Sequence, residues 1–172
     1  MPKTYERFVR EYLEATSYER RDGVPIEILD ELTSEEMEEA EAELIKRLDT
    51  NDSWPAIGLG HIKSTRAVPK LYDLLPKASG PVKAQIATTL WRICEDGNML
   101  QIVLDLSQPS ITSRLSPFYE FNLIDIIYCL AQFPQPECRA RLEELTADKR
   151  HLVSYNAKRA LALRKSLYNI NT

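Results

Sequence analysis

The chain has 172 residues, 44% of them hydrophobic and 28% charged, with a formal net charge of −4. This is one domain's worth of globular chain, long enough to bury a substantial core. No apolar run approaches ~20 residues, so no transmembrane helix is expected.

The start, MPKTYERFVREYLE, is charged throughout and has no apolar signal core. Three cysteines, at spacings of 35 and 9, make neither a disulfide framework nor a metal-ligand set. Reduced thiols and a cytoplasmic location are therefore expected.

Tyr5, Phe8, Val9, Tyr12 and Leu13 fall at i, i+3, i+4, i+7 and i+8, which predicts an amphipathic helix over 4–20. Arg21-Asp22-Gly23 reads as a turn, and Pro25 opens a short helix with Ile26, Ile28 and Leu29. These helices, in residues 1–32, are expected to cap a helical array over 33–172. Thr33 with Glu36 has the pattern of a capping box, and its helix, to about Asp49, buries Met37, Ala40, Leu44, Ile45 and Leu48. Asn51-Asp52-Ser53 caps a helix carrying Trp54 and Pro55 in its first turn, where a missing N–H is tolerated. Pro69, Pro81, Pro117 and Pro136 follow the same logic.

Further on, Gly97 reads as the C-cap of a helix ending after Cys94. A short helix over 98–107 carries Leu100, Val103, Leu104 and Leu106. A longer connection over 107–113 leads to a helix starting near Ser116-Pro117, where Phe118, Tyr119 and Phe121 read as core. The last two helices span about 136–147 and 150–168. Cys94 and Cys129 read as small core residues.

A repeat organises these elements. Leu59, Leu90, Leu130 and Leu161 occupy equivalent places 31, 40 and 31 residues apart. Ile86, Ile126 and Ala157 stand four positions earlier, with Pro55 in the first copy, and Val82 and Val153 extend the stripe. Segments 66–75 and 137–146 superpose at an offset of 71, pairing Leu71 with Leu142 and Leu74 with Leu145. Each unit is thus a helix pair, A then B, that cannot bury its apolar face alone and must stack on its neighbours.

Ala56-Ile57-Gly58-Leu59-Gly60, Arg66-Ala67-Val68-Pro69-Lys70-Leu71 and Pro81-Val82-Lys83 followed by Leu90 resemble HEAT-like repeats, particularly the short bacterial variety named after phycobilisome lyases. The resemblance covers roughly residues 34–167. It implies an all-α fold: a right-handed α-α superhelix of about four helix pairs with an N-terminal capping helix. One departure is Trp91, large where Gly60, Ala131 and Ala162 are small; it either fills a local gap or faces a partner.

Chemistry is scarce. The sequence has no Gly-rich phosphate loop, CxxC or HExxH, and the two histidines are 90 residues apart. No catalytic residue, cofactor or metal site is expected. Charge is more informative: residues 27–52 hold eleven acidic residues against Lys46 and Arg47, whereas 137–165 hold eight basic against four acidic. An acidic N-terminal face of this kind can steer a basic protein partner. It also argues against nucleic acid, whose phosphates need clustered Lys and Arg.

In HEAT-like stacks the B helices line the concave wall. The polar stripe Gln85-Thr89-Arg92, transferred by the repeat offsets, maps to Trp54, Gly58 and His61, to Asp125, Tyr128 (or adjacent Cys129) and Gln132, and to Asn156 and Arg159. Trp54, His61, Gln85, Arg92, Asp125, Tyr128, Asn156 and Arg159 are the partner-binding candidates, a mixture that interface hot spots favour. The expected function is a non-enzymatic protein-binding module, an adaptor or an immunity-type binder. The alternatives are a bilin-lyase-like or DNA-glycosylase-like HEAT-fold enzyme, and self-association through an end of the stack, which exposed apolar positions on the N-terminal helix or on Leu163, Leu167, Tyr168 and Ile170 would show.

Overall fold

A computed structural model describes residues 3–16, 19, 23–108 and 119–168, and among these every regular element is helical. Helix α1 (Lys3–Arg7) runs on into a π-helical segment, Phe8–Leu13. There follow α2 (Glu27–Asp30), α3 (Ser34–Arg47), α4 (Trp54–His61), α5 (Val68–Leu74) and α6 (Gly80–Cys94). The last four are α7 (Asn98–Ser107), α8 (Tyr119–Ala131), α9 (Pro136–Leu145) and α10 (His151–Tyr168).

Packing follows the repeat. Alternate helices form one continuous layer, α4 on α6, α6 on α8 and α8 on α10. The intervening helices cover it, with α3 on α4, α5 on α6, α7 on both α6 and α8, and α9 on both α8 and α10. The equivalent leucines explain the layer: Leu59, Leu90 and Leu130 are fully buried, and Leu161 is half-buried against the same core. Leu71 and Leu142, matched at the offset of 71, are also fully buried.

The same offset relates two cations. Lys70 Nζ donates to the carbonyls of Ile45 and Lys46 at the end of α3, at 2.7 and 3.2 Å. Arg141, its counterpart, donates from Nη2 to the Ser107 carbonyl at the end of α7, at 2.7 Å. Each places positive charge where a helix C-terminus leaves carbonyls unpaired. This device repeats with the fold, although the apolar pattern gave no hint of it.

Local signals behave as their chemistry requires. Glu36 Oε2 accepts the Thr33 N–H at 2.9 Å while Thr33 Oγ1 accepts the Glu36 N–H at 3.4 Å, closing the capping box. Those bonds, led by the Thr33 amide, hold the Glu36 carboxyl below its ordinary pKa. Pro55, Pro69, Pro81 and Pro136 all sit in the first turn of their helices. Trp91 stacks on Phe133 with centroids 5.5 Å apart, so it fills space between α6 and the end of α8.

Several expectations are corrected. The N-terminal helix stops at Leu13. Within Asn51-Asp52-Ser53, where the cap of α4 was expected, it is Asp52 whose Oδ1 accepts the Trp54 N–H, at 3.0 Å. The left-handed cap of α6 is Glu95, at φ 55°, and Gly97 has an ordinary right-handed φ of −60° at the start of α7. Asp96 accounts for this shift, because its Oδ1 accepts the Asn98 N–H at 3.0 Å and opens the next helix at once. Cys94 is exposed, while Cys129 and Cys138 are buried. Phe121, expected in the core, is 60% exposed. Pro117, Phe118, Ile170 and most of the 107–113 connection lie outside the described residues.

Candidate partner-binding face

The mapped stripe resolves into two kinds of position. Its middle member is buried in every copy, because that is where each layer helix meets its predecessor. A Cβ on Gly58 would lie 2.7 Å from Tyr12 Oη. Thr89, with no exposure, donates its hydroxyl to the Ala56 carbonyl at 2.8 Å, and Gly60 gives it room. Cys129 is buried against Gln85, Sγ to Oε1 3.6 Å. Burial pushes the Cys129 thiol up to about 12. Thr89, Gly58 and Cys129 therefore leave the candidate surface, and of Tyr128 and Cys129 it is Tyr128 that faces outward.

The outer members differ along the layer. Trp54 is 8% exposed, packed edge-on against Tyr12 with centroids 5.6 Å apart, and its carbonyl accepts the Tyr12 hydroxyl at 2.8 Å. It is a core residue rather than a partner anchor, because the N-terminal helix lies over it. His61 is half-buried and tied to α2, Nε2 to Asp30 Oδ1 2.6 Å. Gln85 bridges α6 and α8, donating to Thr89 Oγ1 at 3.3 Å as well as meeting Cys129.

Toward the C-terminal half the face opens. Arg92 is half-buried, makes no hydrogen bond or ion pair with the described residues, and is held below its ordinary pKa by desolvation. Asp125 is water-accessible, yet the surrounding protein desolvates it enough to raise its pKa. Tyr128 donates to Asn156 Oδ1 at 2.8 Å, so these two candidates meet and join α8 to α10. Arg159 is exposed, its guanidinium 5.9 Å from the Tyr155 ring centroid.

Sequence reasoning offered Leu163 and Leu167 only as self-association positions and did not place an apolar patch on this face. Among the described residues six large hydrophobics are exposed, and five of them, Phe121, Leu152, Tyr155, Leu163 and Leu167, lie on α8 and α10. Phe121 stands at i relative to Asp125, Tyr128 and Gln132 at i+4, i+7 and i+11, so the helical period places it on the candidate face. Leu163 is the strict repeat equivalent of Arg92 and gave the same signal.

The acidic end is partly neutralised. Glu31 pairs with Arg7 at 2.8 Å and Glu41 with Arg66 at 2.7 Å, and Glu41 also accepts the Ser64 hydroxyl at 2.6 Å. Glu43 pairs with Arg47 at 2.9 Å. On α3, Glu35, Glu38 and Glu39 are exposed and make no ion pair with the described residues. Among the described residues, no cluster of His, Cys, Asp and Glu could hold a metal ion, and no helix is long and apolar enough to cross a membrane.

No protein-family model matches the chain, and no curated protein or solved structure matches it either.

Proposed function

We propose that the protein is a non-enzymatic protein-binding module of the HEAT-like type. Its helix pairs would stack as a right-handed superhelix, with the open side of α6, α8 and α10 as the docking wall. The observation that carries this reading is the concentration of exposed apolar side chains on α8 and α10. Soluble chains seldom expose a cluster of large apolar residues without a use for it. Beside them stand Arg92, Asp125 and Arg159, which make no ion pair with the described residues. The partner is a protein segment that brings apolar side chains to Phe121 and Leu163 and carboxylates to Arg92 and Arg159. The unpaired glutamates of α3 steer a basic region of the same partner.

The test is affinity capture from a lysate of the source cells on the full chain, with the Phe121→Glu/Leu163→Glu variant in parallel. A stoichiometric protein held by the wild type and lost from the variant, at unchanged helicity, supports the reading. The same protein held equally by both, or captured material that nuclease removes, overturns it. Exposure of Leu163 and Leu167 also favours a second reading, pairing with another copy of the chain, which would appear as a concentration-dependent dimer that the variant abolishes.

A further inference from the structure

A second site, distinct from this face, lies where α9 and α10 enclose a cavity of about 280 Å³. Its walls bring together Arg139, Lys158, Arg164 and Lys165, with Glu143 as the sole carboxylate among the lining residues. Lys158 and Lys165 are exposed and make no ion pair with the described residues, whereas Arg139 is tied to Glu143, Nε to Oε1 2.8 Å.

Arg164 is the unusual member. It is 3% exposed, and its Nη2 donates to the carbonyls of Pro134 and Gln135 at 2.5 and 3.1 Å. The guanidinium lies 5.3 Å from the Tyr168 ring centroid. Its Nε and Nη1 are shut from solvent and have no hydrogen-bond partner. Every group it touches through these contacts is neutral, so among the described residues the buried positive charge has no counter-anion. Such an arrangement is costly unless something compensates it.

Two bland compensations fall short. The Gln135 amide oxygen is also buried and unpartnered, but as a neutral acceptor it leaves the charge in place. A water molecule would accept N–H bonds and likewise leave the charge, and the cavity exceeds the ~30 Å³ share of one water several-fold. Nη2 is taken by the two carbonyls, which leaves the Nε and Nη1 N–H groups as charge-assisted donors that an oxyanion's acceptors can meet singly.

We propose that this cavity binds a phosphate group, either free or as a small monoester, seated against Arg164 and flanked by Lys158 and Lys165. Four cations against one carboxylate favour a dianion over a monocarboxylate. Leu161 and Ala162 supply an apolar wall for the organic part of an ester. Arg164 already lines the cavity, so turning its buried Nε and Nη1 donors toward it asks for a rotamer adjustment of the scale common on binding. The site is independent of the docking wall: it opens on the flank of α10 that faces α9.

Calorimetric titration of the full chain at low ionic strength tests this, with inorganic phosphate, glycerol 3-phosphate and acetate as probes. Saturable one-to-one uptake of both phosphates, and none of acetate, is expected. Equal affinities would assign recognition to the phosphate alone, and a tighter ester would add the apolar wall. Lys158→Glu/Lys165→Glu, at two exposed unpaired positions, lowers affinity at least about tenfold and leaves the ligand-free Tm unchanged. Arg164→Lys keeps the charge, loses the Nε and Nη1 donors and weakens binding too. Absence of saturable phosphate uptake at millimolar concentration, acetate bound equally well, or affinity untouched by the double lysine variant would overturn the proposal.

Discussion

Gly58→Ala probes how the N-terminal helix is held on α4. The new methyl would lie 2.7 Å from Tyr12 Oη and 3.0 Å from Leu44 Cδ1. Tyr12 cannot simply swing aside, because its hydroxyl donates to the Trp54 carbonyl and its ring packs on Phe8 and Trp54. Overpacking of this kind costs about 1–3 kcal/mol, and loss of the hydroxyl's bond adds about 0.5–1.5 kcal/mol. Opposing them, alanine is favoured over glycine inside a helix by about 1 kcal/mol. The steric terms win, and a net destabilisation of roughly 1–3 kcal/mol is expected.

Removing the obstructing atom should reverse much of this. In a Tyr12→Phe background the nearest remaining contacts are Leu44 Cδ1 and the ring carbon Cζ, at 3.0 and 3.3 Å. Gly58→Ala should then cost about 1 kcal/mol less than in the wild type, a coupling expected for residues in contact. Urea denaturation of the four proteins measures it, provided the m-values agree. A Gly58→Ala protein as stable as the wild type, or single-variant effects that simply add, would refute the packing described between Tyr12 and α4.

Three further outcomes follow from named groups. In the native protein Cys94 should react with a thiol reagent at pH 8 far faster than Cys129 and Cys138, whose thiols burial pushes up to about 12; three equally fast thiols would contradict the burial. Tyr72 donates its hydroxyl to Asp96 Oδ2 at 2.6 Å, and that bond raises the phenol to about 12 from its ordinary 10.0. Because the folded value is the higher, the bond's contribution is intact below pH 10 and lost as pH rises through about 12. Absorbance titration should show one phenol moving back toward 10.0 in Asp96→Asn, and no change would contradict it. Glu38→Lys with Glu39→Lys should slow partner association at low salt with Tm preserved, whereas Glu41, bonded to Ser64 and Arg66, is a stability position.

The sequence made the repeat legible because a buried helical face imposes a period, and Leu59, Leu90 and Leu130 obey it. The capping box was legible because Thr33 and Glu36 interact within four residues of chain. What a period cannot tell is which neighbour covers a given face. Trp54 has the phase of an outward residue, yet Tyr12, 42 positions away, lies over it. Phe121 has the character of a core residue, yet nothing in the described structure covers it. The basic excess of 137–165 was visible in the sequence, but the meeting of Arg139 with Lys158, Arg164 and Lys165 was not, since α9 and α10 come together only in the fold.

The most direct test of the docking wall compares two faces of the molecule in the affinity of the captured partner. Phe121→Ala/Leu163→Ala removes apolar anchors from α8 and α10, and Tyr72→Ala removes an exposed aromatic from α5 in the covering layer. Loss of hot-spot anchors worth at least about 2 kcal/mol weakens binding on the order of 30-fold. The account predicts that loss for the first variant and near wild-type affinity for the second; a partner lost through Tyr72 and kept without Phe121 and Leu163 would contradict it.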